Sequence, residues 1–95
     1  MKTLLTRQKR DANEHEIAAA LRQVGAGYIY LDKSVGFDAL VIYAGSVYLV
    51  EIKMPGKALN AREIEAHLEI RRAGGVVNVI HDVDEALHMV GWSRL

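Results

Sequence analysis

Gly36-Phe37-Asp38-Ala39-Leu40-Val41-Ile42-Tyr43-Ala44-Gly45-Ser46-Val47-Tyr48-Leu49-Val50-Glu51-Ile52-Lys53 is the longest β-prone stretch of the chain. Phe37 to Tyr43 and Val47 to Lys53 read as two strands, and Ala44-Gly45-Ser46 between them as a tight turn. The pattern predicts an antiparallel hairpin. Side chains alternate along a strand, so Asp38, Leu40 and Ile42 share one face of the first arm. Val47, Leu49, Glu51 and Lys53 share one face of the second. A hairpin sets the start of one arm beside the end of the other. Asp38 and Glu51 therefore meet across it, with their carboxylates close together.

Outward from the hairpin, the periodicities place the remaining elements. Residues 8–24 read as a helix, with Ile17, Ala20, Leu21 and Val24 on one stripe and Gly25 and Gly27 as the stop. Glu14, three residues before Ile17, extends that stripe. Tyr28 to Leu31 is a short strand, and Asp32 to Gly36 a connection. After Met54-Pro55-Gly56-Lys57 breaks the third strand, Asn60 with Glu63 resembles a capping box that starts a helix running to Arg72. Ile64 and Leu68 form its apolar pair. Val76 to Ile80 reads as a buried strand reached by a helical crossover, and Asp84 to Val90 as a last helix. The order is α-β-β-β-α-β-α. The fold class is α/β, a mixed central sheet flanked by helices.

Composition narrows the function classes. Ninety-five residues make a single domain, 1–95, whose core lies between about 10 and 90. Twelve Lys and Arg balance twelve Asp and Glu, so a basic coat is excluded as the main source of nucleic-acid affinity. Any such affinity must come from charge segregated by face. Basic residues do gather before the first helix (Lys2, Arg7, Lys9, Arg10) and around the second (Lys57, Arg62, Arg71, Arg72). The chain has no Cys, which removes disulfides, thiolate zinc sites and a Cys nucleophile. No apolar run is long enough to span a bilayer. Met1 to Arg10 has no apolar segment of the signal-peptide kind, so the expected compartment is the cytoplasm. Tyr28, Tyr30, Tyr43, Tyr48 and Trp92 follow core or interface patterning. Of the scattered histidines, His67 falls one turn past Glu63, near the hairpin's polar end.

That polar end carries the chemistry. Two buried carboxylates repel each other, and each unpaired buried charge is costly. A divalent cation relieves both problems. Hard oxygen donors with retained water suit Mg²⁺ or Mn²⁺. Lys53, two residues past Glu51 on the same face, can offset negative charge on a phosphoryl oxygen or orient water.

The order Glu14, then Gly36-Phe37-Asp38-Ala39-Leu40, then Val50-Glu51-Ile52-Lys53 resembles the PD-(D/E)XK nuclease superfamily, whose core is restriction-endonuclease-like. Leu59-Asn60-Ala61-Arg62-Glu63, Gly74-Gly75-Val76-Val77 and Asp84-Glu85-Ala86-Leu87 resemble its VRR-NUC branch, which has small stand-alone phage and bacterial members. The resemblance implies that Asp38, Glu51 and the Ile52 backbone carbonyl ligate the metal. It implies that Lys53 is the catalytic lysine and that Glu14 supports the metal or its water. Phe37 replaces the motif's Pro. Glu63 stands where many relatives have Gln, and its safer reading is capping. Lys57, Arg62 and Arg10 are the expected DNA contacts.

The function so implied is a Mg²⁺- or Mn²⁺-dependent DNA endonuclease, cleaving four-way (Holliday) junctions as a homodimer. Other readings are a non-catalytic DNA-structure binder or partner-recruiting module on the same scaffold, and a restriction or nicking enzyme. For the last, the chain offers little room for separate base-reading elements.

Overall fold

A computed structural model describes residues 10–93. The basic positions Lys2, Arg7 and Lys9 lie outside the described residues. Three helices and four strands follow the expected order: α1 (Glu14–Gln23), β1 (Gly27–Tyr30), β2 (Ala39–Tyr43), β3 (Ser46–Ile52), α2 (Ala61–Arg72), β4 (Val77–Ile80) and α3 (Val83–Met89). The strands form one sheet in the order β1-β2-β3-β4. β1, β2 and β3 are antiparallel neighbours, and β4 runs parallel to β3 after the α2 crossover. The sheet is therefore mixed.

The hairpin forms, with Ser46 opening the third strand instead of closing the turn. Tyr43 pairs with Ser46, leaving Ala44 and Gly45 as a two-residue loop. Both have positive φ, 50° and 83°. That is the conformation whose twist matches flanking antiparallel strands.

The two faces of the sheet have different fates. Tyr28, Ala39, Val41, Val50, Ile52 and Ile80 face α1 and α3, and with Ile17, Leu21, Ala86, Leu87 and Val90 they make the core. Tyr30, Tyr43, Tyr48 and Trp92 pack against that core, in line with their strand and chain-end patterning. Ile29, Leu40, Ile42, Val47, Leu49 and Glu51 follow the opposite alternation. α2 covers the β4 side of that second face and its Glu51 end.

Several boundaries differ from the sequence reading. α1 begins at Glu14, not residue 8. Glu14 N–H bonds back to Asp11 carbonyl in a turn, and the Asn13 amide goes to the His81 carbonyl at 2.7 Å instead of capping. β2 begins at Ala39, because a 3-10 turn over Lys33–Val35 and a left-handed Gly36 delay it. β4 is an edge strand in which only Ile80 is buried, so the expectation of a buried strand is corrected. The apolar pair of α2 is also corrected. Ile64 and Leu68 are 46% and 44% exposed, and the buried residue of that helix is Glu63. α3 runs from Val83 to Met89, one residue earlier than expected, because Asp82 caps it by accepting from Glu85 N–H.

Gly36 fixes how close α2 comes. Its φ is +101°, and an added Cβ would stand 2.4 Å from the Ala66 Cβ. Gly45 has a similar φ but open space around it. Gly36→Ala should cost about 2–4 kcal/mol, combining left-handed strain with overpacking, and Gly45→Ala about 1–2 kcal/mol from strain alone. Urea unfolding of the two variants measures the difference. Equal losses would show that Gly36 does not set the α2 contact.

Candidate metal centre

Asp38 is held by three backbone groups at the junction of β1, β2 and β3. Its N–H donates to the Val50 carbonyl, its own carbonyl accepts from Leu31 N–H, and Oδ2 accepts from Ile52 N–H at 2.7 Å. Ala39 is paired with Val50, so one more step of the register puts Asp38 opposite Glu51. The hairpin thus brings the two carboxylates together, as the alternation requires. Glu51 is 1% exposed, and its Oε1 has no hydrogen-bond partner. Burial pushes its carboxyl up to about 9, and the hydrogen bond and charge of Asp38, then those of Glu63, push the same way. In the cation-free protein Glu51 therefore keeps its proton through neutral pH.

Lys53 sits two residues further on, also buried. Its N–H donates to the Ile80 carbonyl, and its Nζ lies 2.8 Å from Glu63 Oε1. Burial alone would lower the ammonium, but the hydrogen bond and charge of Glu63, with the charge of Glu51, hold it above the ordinary lysine range. Burial opposes the ionisation of Glu63 in turn, yet Lys53 and the Asn60 N–H leave its carboxyl below the usual range. The pair is a buried ammonium and carboxylate. Lys53 here is a fixed positive charge, not a base.

Glu63 does two things at once. It completes a true capping box with Asn60, each side chain accepting from the other's backbone N–H at 2.9 Å, and it anchors Lys53. The sequence shows only the first role, since the capping spacing explains the residue fully. His67, one turn later, comes up beside Glu51 with Nε2 at 3.4 Å from Oε1. Neither atom has a hydrogen-bond partner. Burial holds this imidazole below its ordinary range, against the pull of Glu63.

Glu14 is 2% exposed and belongs to a different network. Oε2 accepts from the Tyr28 hydroxyl at 2.7 Å, and Arg10 Nη1 lies 3.4 Å from both oxygens. Burial raises its carboxyl, Tyr28 and Arg10 oppose that, and Asp38 adds to it, which places Glu14 within electrostatic reach of Asp38. Arg10 spends its guanidinium on Glu14, on the Leu31 carbonyl at 2.6 Å and over the Tyr30 ring. Lys57 and Arg62 are exposed. Lys57 lies 3.7 Å from Asp11, and Arg62 donates to the Ser34 carbonyl.

A cavity of about 280 Å³ opens onto Asp38, Glu51 and Glu63, with Lys33 and Arg62 also lining it. Among the described residues no three His, Cys, Asp or Glu side chains converge closely enough to hold a metal ion by themselves. The groups that could hold a cation there are the Asp38 and Glu51 carboxylates, with a main-chain carbonyl and water completing its shell. That set suits a hard, water-retaining ion. The unpartnered buried Oε1 of Glu51 beside a second carboxylate is the observation that makes the fit.

No family model and no curated protein matches the chain. A solved structure described as "VRR_NUC domain" does, with a TM-score of 0.67 over 84% of this chain and 96% of that one, at 18% identity. This chain has the VRR-NUC fold. The two domains are nearly equal in extent, so the VRR-NUC architecture accounts for almost everything described here. The α-β-β-β-α-β-α order and mixed sheet agree with it. At this identity the likeness is one of fold.

The protonated Glu51 makes stability depend on pH. Its native carboxyl is raised above the unfolded value, as is that of Glu14, so between about pH 4.5 and 9 the native state binds protons that the unfolded chain releases. Stability of the cation-free protein then falls as pH rises through that window. Glu51→Gln should flatten the fall and raise the melting temperature at pH 8 by about 4–8 °C, equivalent to roughly 1 kcal/mol in a domain this size. Thermal melts at pH 5 and pH 8 check it. Parallel curves for the two proteins would mean that Glu51 is ionised in the native state.

Proposed function

We propose that this chain is a divalent-cation-dependent DNA endonuclease, hydrolysing phosphodiester bonds at the Asp38, Glu51 and Lys53 site. One observation carries the reading. Two carboxylates buried at the end of β3 stand beside an ammonium kept charged by its own counter-ion. Such an arrangement is costly in a purely structural role and useful where a cation and a phosphate meet.

Asp38, Glu51 and the Ile52 carbonyl hold Mg²⁺ or Mn²⁺, with Glu14 supporting Asp38 from the α1 side. When bound, the cation supplies a more acidic water and a positive charge against a phosphoryl oxygen. Lys53 stays protonated, held by Glu63, and offsets the charge that builds on the phosphate as water attacks and the 3′-oxygen leaves. Lys57 and Arg62 contact flanking phosphates. Arg10 supports this surface from within, through Leu31 and Glu14. The cytoplasm is the compartment this activity fits, and no described helix is long and apolar enough to cross a membrane.

The substrate we assign is branched DNA, above all the four-way junction, cut by a homodimer. A two-fold dimer carries two equivalent sites and so makes two symmetric cuts. The sheet face opposite the core supplies the dimer contact. It presents Ile29 and Val47, 50% and 61% exposed, among Leu40, Ile42 and Leu49, with no charged residue between them. Two copies of such a face meet without like-charge repulsion.

Four-way junction, flap and duplex DNA, incubated with Mg²⁺ or Mn²⁺, test the activity. Wild type should cut the junction, and Lys53→Ala should cut it about 10²-fold more slowly, the usual loss when a charge-stabilising donor is removed. Absence of cleavage by folded wild type on every substrate would falsify the assignment and favour the binding-module reading. Sedimentation equilibrium tests the assembly. Wild type should have the mass of two chains, and Val47→Glu that of one. A wild-type monomer removes the dimer, and with it the two-cut mechanism.

A further inference from the structure

The segment from Asp32 to Gly36 does more than connect β1 to β2. Asp32 accepts from the Ser34 N–H at 2.8 Å and from the Ser34 hydroxyl at 2.6 Å, which closes the 3-10 turn. The Ser34 carbonyl accepts from Arg62, and Gly36 is seated against Ala66 of α2. A segment tied at each end and to the helix is a firm platform. What it presents to the cavity is Lys33, whose Nζ lies 3.7 Å from Asp38 Oδ1.

The cavity has an acidic floor and a cationic rim. Asp38, Glu51 and Glu63 are buried beneath it, while Lys33 and Arg62 stand at its edge. The two ammonium groups near the floor differ in how they are held. Lys53 is buried on Glu63 at 2.8 Å, whereas the Lys33 side chain is 37% exposed and its contact is long. An ion pair of the second kind is weak and exchangeable. A cation taking Asp38 removes the attraction that draws Lys33 inward and replaces it with repulsion. The flexible stem then leaves the ammonium at the mouth beside Arg62, where a phosphate must pass to reach the floor.

We infer that Lys33 is an exchangeable counter-charge: it rests on Asp38 in the cation-free protein and contacts the substrate phosphate once a cation takes Asp38. The inference rests on the nuclease reading and adds a phosphate contact to that site. Its signature is a pair of effects opposite in sign. Loss of Lys33 strengthens cation binding and weakens DNA binding. A side chain that only braced the loop would move both in the same direction or neither.

Calorimetric titration with Mn²⁺ alone, and anisotropy of a labelled four-way junction in Ca²⁺, give the two readouts. Lys33→Gln should bind Mn²⁺ about three- to tenfold more tightly than wild type, having lost a competitor for Asp38. It should bind the junction about fivefold more weakly, with a salt slope lower by about one, as expected for one lost phosphate contact. Arg72→Gln removes the same charge from the last turn of α2 and should leave Mn²⁺ affinity unchanged; thermal melts verify that both variants fold. Unchanged or weaker Mn²⁺ binding by Lys33→Gln overturns the inference. So does an unchanged junction affinity, or equal tightening in Arg72→Gln. Wild type that binds neither Mn²⁺ nor DNA overturns the nuclease reading itself, and this inference with it.

Discussion

The meeting of Asp38 and Glu51 at the end of a small sheet is the constraint that the surrounding structure serves. Each carboxylate alone would be costly to bury, and together they repel. The fold tolerates them because one keeps its proton and the other is wrapped in donors. Asp38 takes the Ile52 N–H on one oxygen and faces Lys33 on the other. Glu51 is left with an unpartnered oxygen in a buried position. Such a group favours whatever positive species can reach it. A proton serves in the cation-free protein; under the proposed function a divalent ion would neutralise both carboxylates together.

α2 is the element that makes this arrangement possible. Its capping box fixes where the helix starts, which fixes where Glu63 points, which fixes the charge state of Lys53. One turn later His67 closes the space over Glu51. Gly36 lets the β1–β2 connection pass close enough for Ala66 to seat against it. Local helix-start chemistry and the electrostatics of the site are the same set of bonds. A change made to one is felt in the other.

The unequal faces of the sheet explain the rest of the surface. One face is closed by α1 and α3 and supplies nearly all of the core. The other is covered by α2 over β4 and the polar residues, and among the described residues its apolar remainder around Ile29 and Val47 stays open. Among the described residues, helices close one face of the sheet and only part of the other. The open face lies on the same side as Glu51, so a second copy placed there would stand beside the site.

Much of this was legible in the order of residues. The hairpin and the meeting of Asp38 with Glu51 follow from strand periodicity, a local property; the exact register does not, because the turn is one residue shorter than Ala44-Gly45-Ser46. The Asn60–Glu63 cap was legible because it too is local. Glu63 as the partner of Lys53, His67 over Glu51 and Lys33 on Asp38 were not, because each depends on how two distant segments pack. Nor was the exposure of Ile64 and Leu68 visible. An apolar pair at helical spacing says that a helix has a preferred face, but not whether the chain has anything to put against it. Sequence alone determined which groups lie on which face of each strand, since backbone geometry enforces that within a few residues. Tertiary structure alone decided which charges are buried together, because burial and pairing arise only when separate elements close over one another.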